Sequence, residues 1–174
     1  MSETIQATQS KEAKVLIVTS VSAEKEAIEK GLNGASSFDV VVSGVGQAAA
    51  ASATATALAT KTYKYVINAG IAGGFEGRAD LGAIVLSNRI VAADLGAESK
   101  EGFLSIESLK LGVSSIGADR DTVLNLETAA QKVGLSVSKG TILTLSTVTG
   151  TSETADELRT RIPDAIAEGW RDLV

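Results

Sequence analysis

The chain contains no cysteine and no histidine among its 174 residues. A thiolate nucleophile, a Ser–His–Asp triad and a Cys/His zinc site are therefore all excluded. Acid–base chemistry falls to carboxylates, Lys, Tyr or water, a set that suits reactions two carboxylates can run, such as cleavage at an anomeric carbon. Aromatic residues are only 3% of the chain, so the core must be aliphatic. There is no basic cluster and the net charge is −5, which argues against nucleic acid and anionic membranes as partners. The longest low-charge run, Gln47 to Thr60, is too short and too weakly apolar to span a bilayer. The opening MSETIQATQSKEAK is polar and has no apolar signal segment, so a cytoplasmic location is expected. No metal and no cofactor are expected.

What is present points to a folded α/β protein. Apolar residues make up 44%, too many for a disordered chain. The length suits a single domain over residues 1–174, with 1–12 read as a disordered arm. KVLIVTS (Lys14 to Ser20) is a short apolar run of the kind found in buried strands. SAEKEAIEKGL reads as a helix, with Ser22 as cap, acids in the first turn and Gly31 as its stop. FDVVVSG is a second strand, GQAAAASATATALATK a helix small enough all round to pack close to a sheet, and YKYVINAG a third strand. LGAIVLSNRIVAADLGA reads as one long strand or two in series. DRDTVLNLETAAQKVG is a helix with Asp121 as a possible cap and Gly134 as its stop. KGTILTLSTVTG is a strand, SETADELRTRI a helix ended by Pro163, and DAIAEGW the start of a further strand. Strands alternating with helices imply a largely parallel or mixed sheet.

Two glycine loops follow strands. SGVGQAA (Ser43 to Ala49) is a weakened dinucleotide fingerprint, G-x-G-x-x-A. The acid that should close the next strand is missing, because that strand ends in Asn68–Ala69–Gly70. A phosphate nest at the helix start is a second reading, weakened because no Arg or Lys lies between Ser43 and Lys61. The third is structural: Gly44 and Gly46 allow a tight turn and close packing. NAGIAGGF (Asn68 to Phe75) differs. Its three glycines lie at the C-terminal end of a strand, where ligands bind in open α/β sheets.

Five segments, VTSVSAEKEAI, SGVGQAAAA, INAGIAGGF, LGAIVLSNRIVAADLGAE and RIPDAIAE, occur in one order along nearly the whole chain. Together they resemble the purine nucleoside phosphorylase-like superfamily, on its nucleoside hydrolase side. AADLGAESKEGFLSIESLKLG is similar to the futalosine hydrolases of the alternative menaquinone pathway. The resemblance implies a three-layer αβα domain with a mixed central sheet. It implies hydrolysis of the N-ribosidic bond of futalosine to hypoxanthine and dehypoxanthine futalosine. The related methylthioadenosine/S-adenosylhomocysteine nucleosidases, nucleoside phosphorylases and a non-catalytic nucleoside-binding protein are the alternatives. A small-molecule purine nucleoside is the implied partner, and family members are commonly homo-oligomers.

By the same resemblance Glu24 matches the water-activating glutamate, with Glu26 as second choice. The plain reading of both is a first-turn acid favoured by the helix dipole. Ile71, Ala72 and Gly73 match the loop beside sugar and base, although Ile71 stands where the nucleosidases often have Ser. Val148 and Thr149 match the segment lining the base, or are simply strand-end packing. Asp94 matches a frequent acid of unassigned role. Arg89 is a candidate for the carboxyphenyl end of futalosine, or a solvated strand-edge Arg.

The chain ends AEGWRDLV where the family reads AEGMEGFGVA. Trp170 and Arg171 replace a Met and a Glu that contact base and ribose, and a cation cannot accept hydrogen bonds from hydroxyls. A leaving-group aspartate farther along the family pattern has no counterpart. Deleting one G from a suitable coding of Gly-Met-Glu-Gly-Phe-Gly-Val yields Gly169 to Val174 and the start of a stop. The expectation is a frameshifted chain whose fold is incomplete at the C-terminus, destabilised and with little hydrolase activity.

Overall fold

The computed structural model describes residues 14–169. The expected arm over 1–12, and the readings attached to Trp170 and Arg171, lie outside the described residues. Ten strands and four helices occur within that span. β1 (Lys14–Thr19), β2 (Phe38–Val42) and β3 (Tyr63–Asn68) form a parallel sheet in the order β2-β1-β3. The second sheet is five-stranded and mixed, in the order β4-β10-β9-β5-β8. In it β5 (Ile84–Ala92), β9 (Val137–Thr144) and β10 (Ala165–Gly169) run parallel, while β4 (Gly73–Gly74) and β8 (Ser115–Gly117) run antiparallel at the edges. β6 (Gly96–Ser99) and β7 (Gly102–Ser105) make a separate hairpin. The run from Leu81 is thus two strands in series, not one.

The helices are α1 (Ser22–Leu32), α2 (Gln47–Thr60), α3 (Arg120–Lys132) and α4 (Ser152–Arg161). Several ends differ from the sequence expectation. Ser22 is already inside α1, whose cap is Val21. Gly31 does not stop α1; Asn33 does, in the left-handed region at φ 48°, a conformation Asn tolerates because its side chain hydrogen-bonds locally. α3 is capped by Asp119, which accepts from the Thr122 amide, so Asp121 falls in the first turn. In α2 the residues Ala50 and Thr54 are buried, four apart and so on one face; their small size permits the close approach to the sheet.

The core is aliphatic as the composition requires. Phe75, Val91, Ala93, Leu143, Leu145, Leu158 and Ala165 form one buried cluster on the mixed sheet. Leu16 and Val18 are buried in the parallel sheet. Phe75 is the main anchor of the glycine loop: its ring is buried and its amide donates to the Ile166 carbonyl at 2.9 Å. Burial of such a ring contributes about 2 kcal/mol, enough to hold the loop end against β10. Among the described residues no helix is long and apolar enough to cross a membrane.

Candidate active site

The parallel strands point their C-terminal ends toward one rim, and a cavity of about 460 Å³ opens there. Its wall is assembled from the ends of several strands: Ser20, Val21 and Glu24 after β1, Val45 after β2, Ile71 to Gly73 after β3, Val148 after β9, and Glu168 and Gly169 on β10. This is the place where open α/β sheets bind ligands, since loops there are free of ladder pairing. The volume suits a small organic molecule. Val45, Ile71 and Val148 are all exposed, Ile71 to 82%, and converge on the same opening. Solvent-facing aliphatic groups gathered in one concave place gain when a flat apolar ring covers them.

Glu24 occupies the third position of α1. Its Oε2 accepts from the amides of Ser20 at 3.0 Å and Val21 at 3.3 Å. That is half of a capping box; Val21, with no side-chain oxygen, cannot supply the other half. Its Oε1 accepts from the Ile71 amide at 3.0 Å, 47 residues away. Glu24 is therefore the first-turn acid of the plain reading and also the clasp joining α1 to the glycine loop. These donors are amides at a helix N-terminus, a position that favours a negative group.

Of the sequence candidates, Glu24, Ile71, Ala72, Gly73 and Val148 line this one cavity. Thr149 is not on its wall; its amide donates to Glu168 Oε1 at 2.9 Å. Glu26 is exposed and outside the cavity. Gly44 and Gly46 adopt φ of 87° and 101°, a region costly for residues with a Cβ, which is the structural reason for glycine there; Val45 between them reaches the cavity. Asp94 Oδ2 accepts from the Ser146 amide at 2.7 Å and so ties the turn after β5 to the loop that carries Val148. Arg89 sits on the inner strand β5, not at an edge, and pairs with Asp164 at 2.8 Å and with Thr141 at 3.2 Å. It lines a separate cavity of about 510 Å³ with Phe103 and Arg161. Among the described residues no cluster of Asp and Glu is arranged to hold a metal ion.

Glu168 was not among the sequence candidates. It lies in β10, in which every residue is buried, and its own exposure is 8%. The available signal was a single acid inside the apolar run Ala165 to Gly169, since a charge in a buried strand needs a reason.

The sequence model of the phosphorylase superfamily matches residues 9–168. A futalosine hydrolase of Acidothermus cellulolyticus is 44% identical over 168 residues, covering 89% of this chain and 68% of that protein. The chain belongs to the phosphorylase superfamily, in the futalosine hydrolase family. The Streptomyces coelicolor futalosine hydrolase is 36% identical over 174 residues, covering 88% of this chain and 72% of that protein. The native structure of the Helicobacter pylori futalosine hydrolase superposes with a TM-score of 0.75 at 13% identity, over 91% of this chain and 76% of that one. At that identity the likeness speaks for the fold, and it agrees with the three-layer arrangement around a mixed sheet.

Proposed function

We propose that the cavity at the strand ends binds a purine nucleoside, and that the chain hydrolyses the N-ribosidic bond of futalosine. In this reading Glu24 takes a proton from a water molecule as the water oxygen bonds to the anomeric carbon. The bond from that carbon to the purine nitrogen breaks, its electron pair leaves with the base, and the base takes up a proton from solvent while Glu24 returns its own to solvent. The products are hypoxanthine and dehypoxanthine futalosine, so atoms and charge balance. As the bond stretches the sugar becomes oxocarbenium-like, and a nearby carboxylate favours that positive charge. Ile71, Ala72 and Gly73 border the sugar, and the exposed aliphatic groups of Ile71, Val45 and Val148 cover the base. Thr149 acts through Glu168. The setting is a small-molecule pathway of the cytoplasm.

The observation that carries this reading is the Glu24 carboxylate clasped to the Ile71 amide on the cavity wall. The two curated relatives favour futalosine over methylthioadenosine as substrate. The test is release of hypoxanthine from futalosine, followed beside binding measured by calorimetry. Slow turnover of futalosine and none of methylthioadenosine is expected. Futalosine bound without turnover, or not bound, would overturn the assignment.

A further inference from the structure

Three hydroxyl side chains sit where β1 and β2 end, and two of them are satisfied within the fold. Thr19 Oγ1 donates to the Val41 carbonyl at 3.2 Å, and Ser43 Oγ donates to the Thr19 carbonyl at 3.0 Å. Ser20 Oγ is different: it is buried and has no hydrogen-bond partner among the described residues. Nor does it cap α1, whose cap residue is Val21. A buried hydroxyl left unpaired is costly, and native proteins keep few such groups without a use. Ser20 is 7% exposed and stands on the wall of the strand-end cavity. Among the described residues of that wall it alone carries a hydroxyl. Its own amide donates to Glu24 Oε2 at 3.0 Å, so only the short serine side chain separates this hydroxyl from the carboxylate.

We propose that Ser20 is a further catalytic residue, whose hydroxyl oxygen holds the attacking water beside Glu24; this rests on the functional reading above. A single hydrogen bond to Glu24 leaves a water molecule free to swing about it. A second acceptor fixes the molecule and aims its lone pair at the anomeric carbon, and orientation of this kind is a large part of what an active site adds over solution. A serine hydroxyl can accept as well as donate, so it takes one hydrogen bond from the water without competing for the proton that Glu24 receives. One water hydrogen passes to Glu24 as the oxygen bonds to the anomeric carbon. The other stays on that oxygen in the sugar product, and the serine proton stays on Oγ. A turn between staggered rotamers about the one side-chain torsion carries Oγ from its buried position toward the cavity. The other residues whose amides hold Glu24, Val21 and Ile71, have no side-chain acceptor to offer.

Ser20→Ala separates this role from a structural one, because the two predict opposite effects on stability. Steady-state release of hypoxanthine from futalosine should show kcat lowered about three- to tenfold, the worth of one neutral hydrogen bond. KM should stay within about twofold, since the contact is to the water and not to the nucleoside. The melting temperature should stay or rise, because an unpaired buried hydroxyl has been replaced by an apolar group. A kcat within twofold of the parent would overturn the role of Ser20. So would a rise in KM as large as the loss in kcat, which would make Ser20 a contact of the nucleoside. A lower melting temperature accompanying the loss would overturn it too, as the mark of a structural hydroxyl. Each of these leaves the functional reading standing. A parent protein that releases no hypoxanthine from futalosine would overturn that reading and the role of Ser20 with it.

Discussion

The two ends of the β2-β1-β3 sheet hold carboxylates in opposite ways. Where β1 begins, Asp39 accepts from Lys61 Nζ at 2.9 Å, from Lys14 Nζ at 3.1 Å and from Tyr63 Oη at 2.8 Å. Where β1 ends, Glu24 accepts from the amides of Ser20, Val21 and Ile71. The Lys61 hydrogen bond above all, with those of Tyr63 and Lys14, holds the Asp39 carboxyl down at about 2. A carboxylate held this way by two lysines and a tyrosine is a weaker base toward water. The amides of Ser20, Val21 and Ile71 orient the Glu24 carboxylate, and a cavity lies beside it. A salt-bridged acid fastens strands; an amide-held acid at a strand-end cavity is placed for chemistry.

The strongest way to break this contrast is to remove each acid in turn. Glu24→Gln should lower kcat for hypoxanthine release by about 10² to 10⁴, the usual range for loss of a general base. Asp39→Asn should leave kcat within about twofold, since solvated ion pairs act on stability. Equal losses in steady-state assays of the two variants would erase the distinction.

A smaller effect is expected from Asp94→Ala. Without the Asp94 bond the Ser146 amide loses its partner, and the loop carrying Val148 is less well placed. KM should rise about three- to tenfold with a lesser change in kcat, in keeping with a hydrogen bond to a charged group. A kcat collapse at unchanged KM would instead place Asp94 among the reacting groups.

The smallest effect is the pH dependence at the far end of the sheet. The folded value for Asp39 is depressed from 3.8 to about 2, so its stabilisation is present above the unfolded value and is lost as pH falls through that window. With screening at a half-buried rim the contribution is about 1 kcal/mol, a shift of about 2–4 °C in Tm for a domain of this size. Parent and Asp39→Asn melting curves should differ at pH 6 and converge near pH 2. A constant gap at all pH values would show that packing, not charge, holds that corner.

Long elements were legible because their signals are local. The apolar run at Lys14 to Thr19 and the small-residue helix from Gln47 follow from pattern and periodicity alone. β4, β7 and β8 were missed. At two to four residues each, they are too short for alternation to show, and they exist because a partner strand offers a ladder. Helix caps moved by one or two positions for a similar reason. Asp119 and Asp121 are both good caps by type, and the chain path before α3 chose between them. In the site, Glu24 could be named from its place after the first strand. Glu168 carried only the weak signal of an acid in an apolar run, because its bond to Thr149 joins segments 19 residues apart.

By itself the sequence determined an aliphatic α/β chain, the order of its main strands and helices, and a chemistry without thiolate or imidazole. Those follow from composition and from interactions a few residues in range. Only the tertiary structure decided that Glu24 clasps Ile71 across 47 residues and that Glu168 holds Thr149 across 19. Such pairings are set by the register of parallel strands and the meeting of two sheets, and no local pattern encodes where two distant chain segments will stop opposite each other.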